Sequence, residues 1–567
     1  MAFLRVAIFV AALAFVTVDV HWTSQHFLPW AVRAAGVVGV AILSVAVRWE
    51  GVAGAFRRWA SAAERHPRGV VNGLAAAAFV LTVALAYFVH QPYPHVPDGF
   101  SYYFQAKIFA EGKLFETAPP LPEFFRFDWV AVHDGRWFSI FPPGWPLLLA
   151  AGVKAGVPAL VNPVLGAMCV IVLWRLGTAL FGPRTGLLCA LFCCLSPFFL
   201  FMSSEFMSHT AALLFTSIST LAYVSARSQR GGLGGYAASG AAAGLAFLIR
   251  PADAAAIWAA QTMHGLWVDR SRRAVVGACL SAVPLACGAA VYLAYNRVLM
   301  GTWLSSPLLL VSPRNRMGFG ADIGYDWAFD TPGHTPWRAV LNLNHNAALM
   351  SQDLFGWPIT SLLFVLVLAC FGRKDSRHGL CGLIIAAFVA LYGLYWYHGE
   401  AFGARFYFTL LPSLLMLTVE GIRQTPEILT RLLPSARITR LSRVTGAVVT
   451  LCFAFGWAVY VPKVSLIAPY YNQKGVNSAF YEFQRRERLD HAIVFVQAPE
   501  PLYYGPAFIA NDLPIGSGRV IYAIDRGETD DQALAAMFPD RSVHRFIHER
   551  RPNPIRVWLQ THIHDGW

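Results

Sequence analysis

The amino-acid sequence predicts an all-α polytopic membrane protein with a small α/β domain at its C-terminal end. Of the 567 residues, 56% are hydrophobic and only 14% are charged, whereas soluble proteins average about 25% charged residues. Apolar runs of about 17 to 25 residues, each long enough to cross a bilayer as a helix, recur as far as about Val461. Beyond that position the composition becomes mixed, which indicates a domain outside the membrane.

The apolar runs predict about thirteen transmembrane helices. We place them at residues 3–20, 28–48, 70–89, 159–181, 186–201, 208–226, 235–250, 252–268, 274–299, 357–371, 379–397, 405–420 and 443–461. No small-x-small cleavage site follows the first run, so we expect it to be a retained helix and not a signal peptide.

Arg and Lys concentrate in short loops between the apolar runs, and under this helix count six such loops fall on one side of the membrane. They are "RWEGVAGAFRRWASAAERHPR", "GPRTG", "SARSQRGG", "DRSRR", "GRKDSRHG" and "RQTPEILTRLLPSARITRLSR". The positive-inside rule makes that side cytoplasmic and accounts for the net charge of +13 without nucleic acid as a partner. The N-terminus is then cytoplasmic, whereas residues 90–158, residues 300–356 and the C-terminal tail are extracytoplasmic.

The tail has the pattern of an α/β domain. The segments "HAIVFVQ" and "RVIYAID" are apolar and β-branched, which favours strands, and "DDQALAAMF" has helical spacing. We therefore divide the chain into extra N-terminal helices at 1–69, a transmembrane domain at 70–461 and an extracytoplasmic α/β domain at 462–567. At about 100 residues, the tail has a modest core that we expect to lean on the membrane part.

The first long loop begins with "HVPDGFSYYFQAKIFAEGKL", which places Asp98 directly after a proline. The spacing of Tyr102, Ala106 and Phe109 predicts a helix lying in the membrane interface, with its apolar face against lipid. Next, "FDWVAVHDGRWFSIFPPGWP" predicts two strands joined by an Asp-Gly hairpin turn, followed by a second amphipathic stretch at 145–157.

This order of parts resembles the GT-C superfamily of polyprenyl-phosphate-sugar glycosyltransferases. The resemblance rests on an acidic residue after a transmembrane helix, on the stretch around "DGRWFSIFPPGWP", and on the late "GEAFGARFYFTLLPSL". Within that superfamily, the chain looks most like the protein O-mannosyltransferase and aminoarabinose (lipid A) transferase branch, over roughly residues 70 to 420. One departure is clear: the branch has Asp-Glu where this chain has Asp98-Gly99.

The resemblance implies that Asp98 is the catalytic base. Transfer of a sugar from a lipid phosphate to a hydroxyl requires a base for the acceptor proton and cations for the departing phosphate. A single carboxylate is sufficient for a direct inverting displacement. The alternative is that Asp98 merely caps a helix beginning at Gly99.

Glu205 and His209 lie four residues apart in "SSEFMSHTAA" and would share one face of a helix. GT-C enzymes often keep a second acidic group on this loop, for the acceptor or a cation, and Glu205 is the candidate to replace the missing glutamate. Two ligands are too few to establish a metal site, so a divalent metal remains one option. The alternative is a polar pair at a hydrated helix end.

Arg250 and Arg405 lie at predicted extracytoplasmic helix ends and are candidates to bind the donor phosphate. A guanidinium at that depth is costly unless it is paired or solvated, and its shape suits a phosphate. The alternatives are snorkelling toward lipid headgroups and, for Arg250, a structural ion pair with Asp253.

Further candidates come from the two long loops. Four residues are possible lining of the first-loop site: Tyr102, Lys107, His133 and Arg136. The loop at 300–356 has the polar density of a lid or an acceptor-recognition element. Its charged and histidine residues are Arg314, Arg316, Asp322, Asp326, His345 and Asp353.

The leading hypothesis is an enzyme that takes a sugar from a polyprenyl-phosphate carrier and passes it to a lipid, glycan or protein acceptor on the extracytoplasmic side. The alternatives are a multi-pass transporter or lipid flippase that uses the same polar groups as a translocation path, and a catalytically decayed relative. The absence of an inverted repeat argues against transport. The resemblance places the chain in a bacterial inner membrane.

Overall fold

The structure is a computed structural model that describes residues 2–19, 30–47, 49–228, 232–325, 333–399, 401–432, 435, 437–467 and 476–549. Each of the thirteen predicted membrane segments overlaps a helix in these ranges. Six helical stretches of the described chain are long and apolar enough to cross a membrane. They are Pro67–Val89, Pro158–Phe181, Arg272–Met300, Ser376–Gly393, Arg405–Arg431 and Ile438–Leu466.

Four helices precede the first long loop. They are α1 Ala2–Thr17, α2 Trp30–Ala46, α3 Glu50–Arg65 and α4 Pro67–Ala84, which continues as a π-helical turn at Leu85–Val89. Helix α3 was not predicted, because its charges identified it only as a basic loop. Its alanine, glutamate and arginine residues favour a helix, and α3 ends where Pro67 opens α4.

The first long loop is a compact subdomain. Its elements are α5 Pro97–Ala110, β1 Glu116–Thr117, β2 Val130–His133, β3 Arg136–Ser139 and α6 Gly144–Lys154, with 3₁₀ turns at Pro122–Phe125 and Pro158–Leu160. The predicted hairpin is confirmed: His133 pairs with Arg136 across an Asp134-Gly135 turn. Both turn residues have positive φ, 48° and 72°, the backbone that a two-residue type I′ turn requires.

The next seven elements are helices. They are α7 Val161–Phe181, α8 Pro183–Leu195, α9 Pro197–Met202, α10 His209–Arg227, α11 Gly234–Ile249, α12 Pro251–Asp269 and α13 Arg272–Met300. The segment predicted as one helix at 186–201 is two, because Pro197 cannot continue the hydrogen bonding of α8. Ser196 caps the second piece by accepting from the Phe199 backbone N–H at 3.2 Å.

The predicted loop at 300–356 is largely helical at its end. The elements from here to the tail are α14 Pro307–Val311, α15 Pro336–Asp353, α16 Leu363–Phe371, α17 Ser376–Gly393, α18 Leu411–Leu432 and α19 Ile438–Phe455, with a 3₁₀ turn at Arg405–Leu410 and π-helical turns at Gly456–Tyr460 and Lys463–Ile467. Helix α15 was missed since its buried positions are mostly polar, so no apolar face marks it. Asn344, for example, donates to the Phe15 and Val18 carbonyls at the end of α1, at 2.7 and 2.8 Å.

The tail confirms the predicted α/β domain. Its elements are α20 Ala479–Glu487, β4 Ala492–Gln497, a 3₁₀ turn Pro501–Tyr504, α21 Gly505–Ala510, β5 Val520–Ile524, α22 Glu528–Ala536 and β6 Ser542–Ile547. The strands form a parallel sheet in the order β5-β4-β6. The central strand β4 is buried from Ala492 to Val496, as expected of a parallel strand covered on both faces.

Helix α5 is enclosed by protein on both faces and does not lie against lipid as the sequence analysis expected. Tyr102 and Ala106 belong to the core of the membrane-spanning helices. Phe100, Phe104 and Ile108 belong to a second core that includes the tail. The helix is therefore buried on both faces, and the pattern that resembled a lipid-facing surface reflects packing against two neighbours.

Candidate active site

A cavity of about 740 Å³ opens beside the N-terminal end of α5, a volume in the range of small-molecule binding sites. Its lining comes from the first loop, the start of α10, the α11–α12 junction, the segment from 308 to 325, and the stretch from 392 to 406. Its charged and hydroxyl or amide residues include Asp98, Tyr102, Asp128, Ser208, His209, Arg250, Asp253, Ser312, Asn315 and Arg405. Aromatic rings supply much of the remaining wall: Trp129, Phe141, Tyr325, Tyr392, Tyr395, Trp396, Tyr397 and Phe406.

Asp98 lies in the first turn of α5, with 20% of its side chain exposed. The helix begins at Pro97, and Val96 occupies the cap position without a side-chain hydrogen bond. The predicted capping role is therefore wrong, because the carboxylate lies inside the helix and not ahead of it. An acidic side chain in the first turn is favoured by the helix dipole, and this one lines the cavity.

Arg405 faces Asp98 across the cavity, with 3.8 Å between Nη1 and Oδ1. The arginine opens the 3₁₀ turn before α18 and is only 8% exposed. Within the described chain, its Nε and Nη1 have no hydrogen-bond acceptor. Its guanidinium carbon lies 5.2 Å from the centroid of the Phe406 ring, which supports the charge from one side.

Arg250 lines the same cavity but is already paired. Its Nε donates to Asp253 Oδ2 at 2.9 Å, and a second nitrogen donates to the Tyr392 hydroxyl at 2.9 Å. Asp253 is 1% exposed and accepts a further hydrogen bond from Thr409 at 2.8 Å. The ion pair expected between Arg250 and Asp253 is thus confirmed.

Glu205 and His209 do not share a helical face, because α10 begins only at His209. Glu205 lies in the preceding turn and points to His90, with 2.6 Å between Oε1 and Nδ1. His209 lines the cavity, is 2% exposed, and has no hydrogen bond on either ring nitrogen within the described residues. The loop between them is held by Asn162, which donates to the Met207 carbonyl at 2.8 Å.

Of the four residues predicted as first-loop lining, only Tyr102 faces the cavity. Burial, then the neighbouring charge of Asp98, raises the pKa of Tyr102 to about 12. Lys107 turns away and donates to the carbonyls of Ile509, at 3.0 Å, and of Asn511 in the tail. Burial lowers the pKa of Lys107 below its usual value.

His133 and Arg136 flank the hairpin turn and lie outside the cavity lining. His133 is 3.5 Å from Asp134. Arg136 donates to the Val298 and Leu299 carbonyls at 2.6 and 3.2 Å, which lie in the last turn of α13. A hairpin tip is solvated, and the sequence motif alone did not show which way it points.

The loop at 300–356 contributes to the cavity through Ser312, Asn315 and Tyr325. The charged residues named for that loop lie elsewhere: His345 is 3.0 Å from Asp19, and Asp353 accepts from Tyr460 at 2.5 Å. Asp326 falls outside the described residues. The acceptor-recognition role of this loop stays a prediction. Only the part of the loop that includes Ser312, Asn315 and Tyr325 lies close enough to the cavity for that role.

Sequence reasoning missed Asp128, which lines the cavity on the turn before β2. Although this side chain is open to the cavity, the surrounding protein and then the charge of Asp98 raise the pKa of Asp128 above its usual value. Its position in "FRFDWV", just before an apolar strand, was the available signal. A single aspartate at a strand end is too common a feature to identify a site.

A metal site is not evident in the described part of the chain, where no three His, Cys, Asp or Glu residues come together. His209 and Asp98 line one cavity, but Glu205 is directed away from it to His90. Metal dependence therefore stays a prediction.

Residues 147–294 match the family described as dolichyl-phosphate-mannose-protein mannosyltransferase. That range includes His209 and Arg250 but neither Asp98 nor Arg405. A comparison with curated protein sequences gives no match.

Solved membrane proteins have similar folds. The structure of ArnT from Cupriavidus metallidurans in the apo state is 12% identical, with a TM-score of 0.50 over 85% of this chain and 90% of that one. The same protein bound to undecaprenyl phosphate gives a TM-score of 0.46 at 12% identity, over 84% and 90% of the two chains.

The oligosaccharyltransferase of Archaeoglobus fulgidus in the apo form, also 12% identical, gives a TM-score of 0.42 over 83% of this chain and 64% of that one. At these identities the likeness concerns the fold. The chain is a polytopic membrane protein that shares the fold of ArnT from Cupriavidus metallidurans, and its residues 147–294 are similar to the dolichyl-phosphate-mannose-protein mannosyltransferases.

Proposed function

We propose that the chain transfers a sugar from a polyprenyl-phosphate donor to an acceptor hydroxyl at the extracytoplasmic side of a bacterial inner membrane. The observation that carries this proposal is the pair Asp98 and Arg405 in one cavity, with 3.8 Å between Oδ1 and Nη1. The arginine is buried and has hydrogen-bond donors without an acceptor in the described chain. The fold supports this proposal. ArnT, whose apo structure has a similar fold, also has a structure with bound undecaprenyl phosphate.

The two groups have complementary roles. Asp98 accepts the proton of the acceptor hydroxyl while that oxygen attacks the anomeric carbon of the sugar. The bond from the anomeric carbon to the phosphate oxygen breaks, and its electron pair leaves with the polyprenyl phosphate. Arg405 binds the phosphate that gains this charge, through the two nitrogens that lack acceptors. The anomeric configuration inverts in this single displacement.

The environment favours both roles. Arg405 is nine-tenths buried, and charge interactions strengthen where water is excluded. A buried guanidinium with unused hydrogen-bond donors costs folding free energy, and a bound phosphate lowers that cost because it accepts those hydrogen bonds. His209 lines the same cavity without a hydrogen bond in the described chain and is available to a hydroxyl of either substrate.

The test is single-turnover transfer from radiolabelled undecaprenyl-phosphate sugars by the purified protein reconstituted in membranes. We expect Asp98→Asn to lower the transfer rate by about a hundredfold while donor binding is retained, in line with the usual contribution of a general base. Asp134→Asn, the same substitution on the hairpin tip of the same loop, is the matched control and should leave transfer unchanged.

Equal transfer by wild type and Asp98→Asn would remove this residue from the chemistry. If wild type consumes none of the donors, the glycosyltransferase proposal itself fails and the transporter hypothesis gains weight.

A further inference from the structure

Three carboxylates line the cavity. Asp253 is already bonded to Arg250, Tyr392 and Thr409, which leaves Asp98 and Asp128 to face a ligand. Asp98 comes from α5, and Asp128 comes from a tight turn in which the Val130 N–H donates to the Phe127 carbonyl at 3.3 Å. An acidic pair alone does not make a site. Here, however, Arg405 and His209 line the same cavity, are 8% and 2% exposed, and have side-chain nitrogens without hydrogen-bond partners in the described chain. Buried polar atoms without partners are uncommon in folded proteins, and two such side chains on one cavity favour a polar substrate there.

The turn that carries Asp128 is fixed relative to Asp98. Ser101, one helical turn after Asp98 on α5, donates to the Trp129 carbonyl at 2.6 Å and lies 2.7 Å from the Ser139 hydroxyl. The Phe127 ring stacks on Phe508 of the tail, with ring centroids 5.0 Å apart. The residues on either side of Asp128 are thus anchored, one to the helix of Asp98 and one to the tail.

The backbone of this turn is strained. Trp129 has φ of 62°, a conformation in which a large side chain is rare and which costs about 1–3 kcal/mol. Strain of this kind persists where the surrounding structure enforces it, and it commonly occurs at ligand sites. The conformation presents both Asp128 and Trp129 to the cavity.

The structure also explains why the second carboxylate is not next to Asp98. A Cβ atom at Gly99 would lie 2.9 Å from Cβ of Pro94 and 3.5 Å from Cβ of Phe206. A glutamate at this position, as in the Asp-Glu pattern, therefore requires its neighbours to move. Close packing at this position favours glycine, and the second carboxylate near Asp98 comes from another segment, the turn of Asp128.

We propose that Asp128 is a substrate-binding residue that recognises a carbohydrate acceptor, accepting a hydrogen bond from the hydroxyl next to the one that Asp98 deprotonates. This inference rests on the proposed function. Carboxylate oxygens accept hydrogen bonds, so two carboxylates in one cavity suit a ligand with at least two neighbouring O–H donors. A sugar presents such a diol, whereas a serine side chain or a simple alcohol presents one hydroxyl.

The test compares two soluble acceptors with the same alkyl chain, octyl mannoside and 1-octanol, using whichever undecaprenyl-phosphate sugar the wild type consumes. We expect Asp128→Asn to lower kcat/KM for octyl mannoside by about tenfold or more, mainly through KM, because one charged hydrogen bond is lost. Transfer to 1-octanol and slow hydrolysis of the donor should change less than about twofold. Asp134→Asn is the control, and thermal unfolding establishes that each variant is folded.

An equal fall for both acceptors and for donor hydrolysis would overturn the inference, because Asp128 would then serve the donor or the fold. Unchanged kinetics with octyl mannoside, or transfer by wild type to a serine peptide but not to the glycoside, would also overturn it. In each of these cases wild type still consumes the donor, so the outcome is distinct from failure of the proposed glycosyltransferase function.

Discussion

Arg250 and Arg405 enter one cavity from neighbouring elements and have different surroundings. The hydrogen bonds of Arg250 go to Asp253 and Tyr392, both buried, at 2.9 Å each. Arg405 forms a long ion pair with Asp98, at 3.8 Å, and its Nε and Nη1 lack hydrogen bonds within the described residues. A cation bonded to buried partners, such as Arg250, stabilises the scaffold, whereas Arg405 has unused donors that suit a ligand.

The sequence made the two arginines nearly equivalent, since each stands at the end of an apolar run. The structure separates them by what lies within 3 Å of each guanidinium. Substitution of each arginine by itself therefore tests the comparison directly. The four predictions below run from the largest expected effect to the smallest.

Arg250→Gln should destabilise the protein by about 3–5 kcal/mol, because it leaves the buried Asp253 carboxylate without its cation. A fall in the thermal unfolding temperature in detergent measures this effect. Asp253→Asn combined with Arg250→Gln is the control, and the double variant should recover part of the loss, since no unpaired charge remains. If Arg250→Gln unfolds as wild type does, Arg250 is not structural and the comparison fails.

Arg405→Gln should lower transfer from an undecaprenyl-phosphate sugar by about a hundredfold, equivalent to about 2.7 kcal/mol, and leave thermal stability nearly unchanged. Undecaprenyl phosphate should raise the unfolding temperature of wild type, since a ligand that binds only the folded state stabilises it. It should not do so for Arg405→Gln. Normal transfer by this variant, or a large loss of its stability, would place Arg405 with Arg250 in the scaffold.

Asp98→Asn should bind undecaprenyl phosphate a few-fold more tightly than wild type does, a gain of up to about 1 kcal/mol. The reason is that Arg405 then loses its competing carboxylate, although the 20% exposure of Asp98 weakens that interaction by solvent screening. Equilibrium binding measured by ligand-induced thermal shift checks this prediction. Weaker binding by Asp98→Asn would mean that the carboxylate holds Arg405 in its binding geometry.

Asp128→Asn should slightly raise thermal stability at neutral pH while lowering transfer. The folded state raises the pKa of Asp128 above its usual value near 3.8, so the ionised form is disfavoured by folding. The folded protein thus binds the proton more tightly than the unfolded chain does, and wild-type stability falls as pH rises through the window above 3.8. The gain in thermal stability of Asp128→Asn over wild type should disappear at a pH below that window. Thermal unfolding of both proteins measured across pH checks this prediction.

Several features of the fold followed from sequence because they depend on local chemistry. Apolar runs must form helices in a bilayer, since no water is present to satisfy backbone groups. The Asp134-Gly135 turn follows from the positive φ that its residue types tolerate. The helix of α15 was not predicted, because its buried side chains are polar and are satisfied only by distant partners such as the end of α1.

The sequence by itself determined the multi-pass architecture, the α/β tail and the importance of Asp98 and Arg405 as candidates, because each rests on composition, spacing or a motif within one segment. Only the tertiary structure decided that these two residues face each other, that Tyr392 joins the Arg250–Asp253 pair, that Glu205 turns to His90, and that Asp128 joins the cavity. These facts depend on contacts between segments more than 25 residues apart. Local propensity does not encode such contacts, and close packing does.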